Sequence, residues 1–534
     1  MSNYFNSARR KFFATSLVAA TVIYFSASKA AIGVKTTRKI ESAKPRLGIN
    51  LAGLADWNTE LPFVDFMRMS RDWVSIDSSG GWDRGPKLDL DAQGWVKSLK
   101  KDCRATKIIA SLAAGQYPSG DYVVLYDGEG EMSFSTARVK SSQQGRIVLK
   151  VDAKTDAFSF DLIKTNPQNY LRNIRVILPS FESTYQTNPW HPAFLKRWSG
   201  VACLRFMDFM NTNNSAQVHW AERPKLNDAS FANKGVALEL MIDLANRLNT
   251  DAWFCIPHQA DDEYIKQFAM HVKANLKPEL RAWVEYSNEV WNGGFAQNNY
   301  AAMAGQHLKF ADKPWEAAWR YYAYRSMQIF KIWTDTYNGH SQFVRVLASQ
   351  AANDYASDQI LSFQGAASHA DVLAIAPYVS FNVSPTDENG IHDKAVSAWS
   401  LDKLFEHLNK MALPESTQWI KNSKKVADQF ALKLVAYESG QHVVGIAGAE
   451  NNDKLTNLFS QANADERMGD IYTKNLAVWA QLGGDLNCSY YSVGSWGKWG
   501  SWGLLQHSKE ITSSSPKFSA VIKWAISRGQ KMAL

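Results

Sequence analysis

Short apolar runs alternate with longer segments of helical period from residue 201 onward. The apolar runs fall at residues 202–207, 252–256, 282–287, 343–348, 372–376, 432–437 and 486–491. Between them, apolar residues recur at the spacing of amphipathic helices over residues 236–248, 262–276, 316–336 and 465–482. Strands that alternate with helices in this way are typical of βα units built around a parallel sheet.

The number of predicted strands indicates a closed barrel. The run Leu47-Gly-Ile-Asn-Leu51 adds a first strand to the seven above, which makes eight. Eight parallel strands, each followed by a helix, close into a (β/α)8 TIM barrel. The predicted fold class is therefore α/β, with a TIM barrel. A further apolar run at residues 107–112 is not counted, because it belongs to a stretch of different pattern.

That stretch, from about residue 107 to residue 178, shows β-type runs without a helical period. The runs lie at residues 122–126, 146–151, 157–160 and 174–178, and turn sequences such as Asp127-Gly-Glu-Gly130 separate them. Closely spaced strands joined by tight turns pair antiparallel. The pattern predicts an antiparallel β-domain inserted into the first βα connection.

These patterns divide the chain into five parts. Residues 1–30 form an export segment and residues 31–45 a basic linker. Residues 46–103 hold the first barrel strand and its helix, which is predicted at residues 62–73 because Pro62 suits a helix start. Residues 104–185 form the inserted domain, and residues 186–534 the rest of the barrel.

The first thirty residues have the layout of an export signal. Arg9-Arg10-Lys11 precedes an apolar stretch that runs to about Ser28, with Ser28-Lys29-Ala30 as a cleavage sequence. The paired arginines are similar to the twin-arginine signal of bacteria. We therefore predict a periplasmic or extracellular protein. The alternative is an uncleaved anchor in the inner membrane, which is the one membrane association expected.

Charge and cysteine content exclude several classes of protein. The net charge is +8, and without the four basic residues of the export segment it is +4. No Lys/Arg stripe interleaved with aromatic residues indicates nucleic acid binding. The four cysteines have no metal-binding spacing and fall mainly in apolar runs. We expect neither a metal nor a cofactor. Twenty Trp and twenty Tyr residues suit stacking on sugar rings, although Trp also fills barrel cores.

Two glutamates follow predicted barrel strands. Glu289 lies in Trp283-Val-Glu-Tyr-Ser-Asn-Glu-Val-Trp-Asn292, and Glu438 lies in Leu434-Val-Ala-Tyr-Glu-Ser-Gly-Gln-His442. The carboxyl ends of barrel strands form the active-site face of this fold. Hydrolysis of a glycosidic bond with retention needs two carboxyl groups on opposite sides of the bond, one as acid and one as nucleophile.

With Asn288-Glu289 after the fourth strand and Glu438 after the seventh, the sequence resembles the clan A glycoside hydrolases. The segment Glu285-Tyr-Ser-Asn-Glu-Val-Trp-Asn292 is also similar to a segment of bacterial exported proteins described as cellulose-binding. The resemblance covers residues 46–75 and 186–534 and leaves out the insertion. Two roles are expected for the insertion, either a carbohydrate-binding module or a rim that shapes one end of the cleft. It implies that Glu289 is the acid/base and that Glu438 is the nucleophile.

The resemblance also implies substrate-binding residues around this pair. Asn288 would contact the sugar 2-hydroxyl, and Arg205, at the end of the second strand, would hold the nucleophile ionised. His258 would contact sugar after the third strand, and Tyr378, after the sixth, would donate to the nucleophile. One of Trp496, Trp499 and Trp502, in the Trp-Gly sequence after the eighth strand, would form the floor of the −1 subsite.

The function expected is that of an exported retaining glycosidase acting on a β-linked polysaccharide or oligosaccharide. The alternative is a non-catalytic polysaccharide-binding barrel, similar to a cellulose-binding protein, that serves exopolysaccharide assembly. Transglycosylation by the same site is a third hypothesis for the function.

Overall fold

The structure, a computed structural model, describes residues 44–155, 157–386 and 390–533. The predicted export segment at residues 1–30 lies outside the described residues, as does the linker up to residue 43. Within the described part, no helix is both long enough and apolar enough to cross a membrane.

The strands are numbered β1 to β20 along the chain. The first eleven are β1 (Arg46–Asn50), β2 (Val74–Ile76), β3 (Asp89–Leu90), β4 (Val96–Ser98), β5 (Arg104–Ala110), β6 (Gly120–Asp127), β7 (Gly130–Ser135), β8 (Ala137–Gln143), β9 (Arg146–Val151), β10 (Phe158–Thr165) and β11 (Arg172–Ile177). The others are β12 (Cys203–Arg205), β13 (Asp251–Ile256), β14 (Ala282–Tyr286), β15 (Phe343–Ala348), β16 (Val372–Ile375), β17 (Val379–Val383), β18 (Lys433–Ala436), β19 (Gln441–Gly445) and β20 (Leu486–Ser489).

Helices lie between the later strands. They are α1 (Pro192–Trp198), α2 (Leu238–Leu248), α3 (Asp262–Asn275), α4 (Ala296–His307), α5 (Pro314–Tyr337), α6 (Asp354–Ser362), α7 (Asp393–Val396), α8 (Leu401–His407), α9 (Leu413–Gln429), α10 (Asp453–Ala464), α11 (Glu466–Gln481) and α12 (Pro516–Ser527). The four helices predicted from periodicity correspond to α2, α3, α5 and α11, with ends that agree within two residues.

Eight parallel strands close the barrel in the order β1, β12, β13, β14, β15, β16, β18 and β20, and β20 pairs with β1. The strands are buried along nearly their whole length, as in the apolar sequence of β13. Helices cover the outer face of such a sheet and side chains fill its inside, so both faces of each strand are apolar. The predicted α/β fold class and TIM barrel are confirmed.

The insertion, defined here as residues 74–177, consists mainly of two four-stranded antiparallel sheets. One has the order β2-β5-β10-β7 and the other the order β11-β6-β9-β8. In β9, the side chains of Ile147, Leu149 and Val151 are buried and alternate with more exposed positions. This period of two is that of a sheet with one face on a core. The antiparallel insertion after the first barrel strand is confirmed.

The helix predicted at residues 62–73 is wrong. The segment contains only a 3-10 helix, Phe66–Met69, because the residues before it are extended. Phe63 forms an antiparallel bridge with Trp190, and Asp65 forms one with Ile177. These tertiary pairings override the local preference that Pro62 gives to a helix start.

Antiparallel pairing starts at Val74, which pairs with Thr106. The insertion therefore begins about thirty residues earlier than residue 104, where the sequence predicted its start. Part of the segment assigned to the first barrel strand and helix therefore belongs to the sheets of the insertion. The division of the chain into independently folding domains stays a prediction.

The insertion contacts the barrel at the carboxyl end of β1. The backbone N–H of Ser111, just after β5, donates to the carbonyl of Asp56 in the loop after β1 at 2.7 Å. Lys509, in the loop after β20, donates to the carbonyls of Gly115 and Tyr117 at 2.7 and 2.9 Å. The segment after β5 is thereby held against the loops at the carboxyl face of the barrel.

Candidate active site

Both predicted carboxyl groups lie at the carboxyl ends of barrel strands. Glu289 follows β14, the fourth strand of the barrel, and Glu438 follows β18, the seventh. The backbone at Glu289 is strained, with φ values of 58° at Ser287 and 42° at Glu289. Side-chain-bearing residues adopt this left-handed conformation rarely, and such strain occurs often at functional sites.

Arg205, the last residue of β12, joins the groups at this face. Its fully buried guanidinium donates from Nη1 to Glu438 Oε1 at 3.0 Å and to Asn50 Oδ1 at 3.1 Å. From Nη2 it donates to Asn288 Oδ1 at 2.8 Å and to Glu285 Oε2 at 3.0 Å. Arg205, Glu285, Glu289 and Glu438 are called the carboxylate cluster below.

The charge on Arg205 is maintained by its neighbours. Burial by itself disfavours the guanidinium charge. The carboxylates of Glu285 and Glu438 outweigh burial and raise the pKa of Arg205 well above its usual value. Arg205 is therefore a permanent cation within the cluster.

Glu438 is almost fully buried, with 6% of its surface exposed. Its Oε1 accepts from Arg205, and its Oε2 accepts from the Tyr378 hydroxyl at 2.9 Å. Burial raises the pKa of Glu438 to about 8; Arg205 and Tyr378 act against this rise, whereas the charge of Glu289 adds to it. Two donors thus point at a carboxylate that the buried site would otherwise keep protonated.

Glu289 is partly exposed and has a different set of partners. Its Oε1 accepts from the Tyr437 hydroxyl at 3.0 Å, and its Oε2 accepts from the Asn292 amide at 2.9 Å. Burial raises the pKa of Glu289, and the hydrogen bonds from Asn292 and Tyr437 lower it in part. These donors are neutral, whereas the donor to Glu438 Oε1 carries a charge.

The difference in partners decides where a single proton resides. The cation beside Glu438 favours the ionised form of that carboxyl group. A proton on Glu289 also removes the negative charge that raises the pKa of Glu438. Protonated Glu289 and ionised Glu438 therefore stabilise each other as a pair, and the two groups titrate together.

The structure brings three of the predicted substrate-binding residues to this cluster. Arg205 and Tyr378 contact Glu438 directly, and Asn288 accepts from Arg205. The Asn288 amide nitrogen donates to Asn213 Oδ1 at 3.1 Å, which fixes the orientation of the amide. One of its two hydrogens is then left for a ligand.

The His258 side chain makes no hydrogen bond to the carboxylate cluster within the described part of the chain. Its ring packs edge-on against Tyr300, with ring centroids 5.3 Å apart, and its Nδ1 makes no hydrogen bond within the described part of the chain. Burial lowers the pKa of His258 to about 4, so the ring is neutral at physiological pH. His258 stays a predicted sugar contact.

Two of the tryptophans predicted after the eighth strand, Trp496 and Trp502, lie in different places. Trp502 packs near Tyr490 and His442, with ring centroids 6.3 and 5.6 Å away, and the His442 ring in turn packs near Tyr378. Trp496 instead donates to the carbonyl of Gly503 at 3.0 Å. Its ring covers the buried ammonium of Lys517, 4.2 Å from the ring centroid. Trp502, not Trp496, is joined to the cluster by neighbouring rings.

Several residues of the site were missed in the sequence. Tyr437 hydrogen-bonds to Glu289, Glu285 pairs with Arg205, and Asn50 accepts from the same guanidinium. An acidic residue within an apolar strand was a signal for Glu285. Tyr437 and Asn50 had no comparable signal, because their partners come from strands distant in sequence.

Among the described residues, no group of three or more His, Cys, Asp or Glu side chains could hold a metal ion.

No protein-family model matches the sequence, and neither does any curated protein. Among solved structures, the chain is similar to a 4-O-α-L-rhamnosyl-β-D-glucuronidase from Fusarium oxysporum 12S, with 12% identity and a TM-score of 0.37. The match covers 65% of this chain and 66% of that one, just under two thirds of its length.

Two further similar structures are glycoside hydrolases of family 5. A broad-specificity endoglucanase from Clostridium acetobutylicum has 12% identity and a TM-score of 0.33, and a xyloglucanase from Paenibacillus pabuli has 14% identity and a TM-score of 0.35. Each match covers 64% of this chain and 93% of the other. At these low values, the case for an activity rests on the side chains of the site.

Proposed function

We propose that this protein is a retaining glycoside hydrolase that cleaves β-linked polysaccharides or oligosaccharides. The observation that carries the proposal is the asymmetry of the two carboxyl groups. Glu438 lies between the guanidinium of Arg205 and the hydroxyl of Tyr378, while Glu289 is held by neutral donors alone. This is the arrangement that an ionised nucleophile and a protonated acid require.

In the first step, Glu438 attacks the anomeric carbon and forms a glycosyl ester. Glu289 gives its proton to the glycosidic oxygen as the bond to the aglycone breaks, so the aglycone leaves as a neutral alcohol. The ester removes the negative charge of Glu438. The electrostatic contribution of that charge to Glu289 disappears with it, and the pKa of Glu289 falls.

In the second step, the Glu289 carboxylate takes a proton from water. The resulting hydroxide attacks the anomeric carbon from the side that the aglycone left, and Glu438 is released as a carboxylate. Two displacements give a sugar with the original anomeric configuration. Asn288, whose amide is oriented by Arg205 and Asn213, would hold the sugar 2-hydroxyl during both steps.

The surroundings of the pair suit a sugar ring. Trp502, Tyr490, His442 and Tyr378 form a run of neighbouring rings beside Glu438. Burial lowers the pKa of His442 to about 4, so this ring is neutral as well. The insertion is held against the same face by Lys509 and Ser111, which supports its role as a rim of the cleft over that of a separate binding module.

We also propose that the protein is exported, on the basis of residues 1–30, with a membrane-anchored form as the alternative. Fractionation of cells that express the full chain tests this. Recovery of a shortened protein from the periplasm or medium supports a cleaved signal, and recovery with the inner membrane supports the anchor.

The activity is tested by release of reducing ends from β-glucans, β-mannans and β-xylans, together with a panel of 4-nitrophenyl β-glycosides. Pull-down with insoluble cellulose is measured in parallel. Release that Glu438→Gln abolishes supports the hydrolase. Binding without release from any substrate contradicts it, and supports the non-catalytic polysaccharide-binding barrel.

Azide assigns the two roles on an active aryl β-glycoside. In Glu289→Ala the glycosyl ester still forms with a good leaving group, and azide, which needs no general base, should restore turnover and give a β-glycosyl azide. In Glu438→Ala azide should attack directly and give the α-glycosyl azide. The same anomer from both variants would contradict the assignment. Analysis of products at high sugar concentration separates hydrolysis from transglycosylation.

A further inference from the structure

Glu285 is a second carboxylate on the guanidinium that holds Glu438. Its side chain is fully buried in β14. Its Oε2 accepts from Arg205 Nη2 at 3.0 Å and Nε at 3.3 Å. The same oxygen accepts from the Trp253 indole at 2.9 Å and lies 3.4 Å from the Cys255 thiol. One oxygen thus gathers donors from two neighbouring strands.

The other oxygen of Glu285 is unusual. Oε1 is buried and makes no hydrogen bond within the described part of the chain. A buried carboxylate normally has partners on both oxygens, because an uncompensated buried charge is destabilising. An apolar residue of similar volume often stabilises a core as well as a buried ion pair does. Packing alone therefore does not account for an acid at this position.

The hydrogen bonds to Glu285 fix the orientation of the Arg205 guanidinium. A guanidinium is planar and carries its five N–H donors in a fixed fork. Glu285 takes the edge that carries Nε and Nη2, so the plane of the group is fixed. Nη1 is then directed at Glu438 Oε1, 3.0 Å away, and at Asn50 Oδ1. A rotation of the guanidinium that improved one ion pair would weaken the other.

We propose that Glu285 is a positioning residue that fixes the orientation of Arg205 and limits how much of its charge acts on Glu438. The inference rests on the proposed function, because it gives Glu438 the role of nucleophile. A nucleophile held too strongly by a cation is a poorer nucleophile, and one without the cation becomes protonated. Because Arg205 interacts with Glu285 as well as with Glu438, its attraction for Glu438 is weaker than it would be alone. Glu438 then stays ionised and also keeps its nucleophilicity.

Other titratable groups face these carboxyl groups from the surrounding elements. Those that face Glu285 are Arg205 on β12, Cys255 on β13, Tyr322 on α5 and Glu289 after β14. Those that face Glu438 are Arg205, Glu289, Tyr378 and Asp208. Glu285 contributes to the raised pKa of Glu289, so one substitution at Glu285 is expected to act on both members of the pair.

Glu285→Gln tests the proposal. Without the charge of Glu285, Arg205 attracts Glu438 more strongly, so the pKa of Glu438 falls. The pKa of Glu289 also falls, because a nearby negative charge is lost. We expect both to fall by about one unit or more. Carboxyl-¹³C NMR of glutamate-labelled protein measures both values without substrate, with signals assigned by Glu438→Gln and Glu289→Gln.

The matched control is Glu60→Gln. Glu60 is also buried and lies 3.7 Å from a cation, Arg197, but its hydrogen bonds go to Trp198 and Ser492. This control should leave both pKa values in place. Unchanged values in Glu285→Gln, or a fall in only one, would overturn the proposal and leave Glu285 a structural residue.

Two further measurements keep the outcome clear. On a 4-nitrophenyl β-glycoside that the panel identifies, both limbs of the pH profile of kcat/KM should move to lower pH in Glu285→Gln. If no glycoside is cleaved, the proposed function fails while the NMR values still decide the electrostatic role. Should Glu285→Gln not fold, Trp253→Phe removes one neutral donor from Glu285. Arg205 is then drawn towards Glu285, and the pKa of Glu438 should rise; an unchanged value overturns the proposal.

Discussion

The insertion buries apolar side chains in a regular pattern, whereas the carboxylate cluster buries charges at irregular positions. In the insertion, Phe158, Phe160 and Leu162 alternate along β10 and are fully buried. In the cluster, Arg205 and Glu285 are just as completely buried, yet both are ionisable. Burial of apolar surface stabilises a fold, while burial of charge is favourable only with partners in good geometry.

Equal burial thus has opposite consequences for stability and for chemistry in the two regions. A substitution in the insertion should lower stability and leave the chemistry intact. A substitution in the carboxylate cluster should do the reverse, because active sites hold groups in ways that stability alone would not select. Three predictions test this contrast.

The largest effect on stability is expected for Phe160→Ala. The Phe160 ring is fully buried and packs against Trp73 and Phe134, with ring centroids 5.6 and 5.8 Å away. Removing such a ring leaves a cavity and should lower the free energy of unfolding by about 3–5 kcal/mol. Chemical denaturation measures this, and kcat on an aryl glycoside should stay within about threefold of the wild type because the ring touches no residue of the cluster.

Val139→Ala is the control within the same insertion, because Val139 is half exposed. It should change the free energy of unfolding by less than about 0.5 kcal/mol. A large loss of kcat in Phe160→Ala at a temperature where the protein is folded would contradict this separation of stability from chemistry. It would mean that the insertion shapes the site directly.

The next effect has the opposite sign and depends on pH. Burial raises the pKa of Glu438 to about 8 from its ordinary value of 4.5, and Glu289 and Glu438 titrate as a pair that shares one proton. The buried pair therefore adds stability below pH 4.5 and loses it as the pH rises through 8 and the shared proton leaves. Glu438→Gln cannot ionise and avoids that loss. At pH 9 the variant should be more stable than the wild type by a few kcal/mol, since one pKa unit corresponds to about 1.4 kcal/mol.

Denaturation of both proteins at pH 5 and pH 9 measures this difference, and hydrolysis by the variant should be lost at both pH values. Arg205 keeps Glu285 as a counter-ion in the variant, so the cation is not left alone. A variant that is less stable than the wild type at pH 9 would show that the ion pair with Arg205 outweighs the burial of Glu438.

The smallest effect is expected for Tyr378→Phe. This substitution removes the hydroxyl that donates to Glu438 Oε2 at 2.9 Å and retains the ring. A hydrogen bond to a charged group contributes about 1.5–3 kcal/mol, so kcat/KM should fall by about 10- to 100-fold. Because this bond lowers the pKa of Glu438, the acid limb of the pH profile should move to higher pH.

Tyr337→Phe, on α5 where the ring stacks on Trp333, is the matched control and should leave the profile unchanged. If Tyr378→Phe lowers kcat/KM without moving the acid limb, Tyr378 contacts the sugar rather than tuning the nucleophile.

The class of fold could be predicted from the amino-acid sequence. Hydrophobic periodicity located all eight barrel strands and four of the long helices, because each element carries its own signal along the chain. The same reasoning placed Glu289 and Glu438 after the fourth and seventh strands, since the carboxyl ends of parallel strands share one face of the barrel. It failed at residues 62–73, where bridges to Ile177 and Trp190 set the backbone.

The division of hydrogen bonds among the side chains around the two glutamates became visible only in the tertiary structure. Arg205 meets Glu285 and Glu438 from strands that are 80 and 233 residues away. Trp496 and Trp502 share one Trp-Gly sequence, yet one covers Lys517 and the other packs among the rings beside Glu438. Hydrogen-bond partners and proton affinities depend on distances of a few ångströms across the barrel, and no local pattern in a sequence encodes such distances.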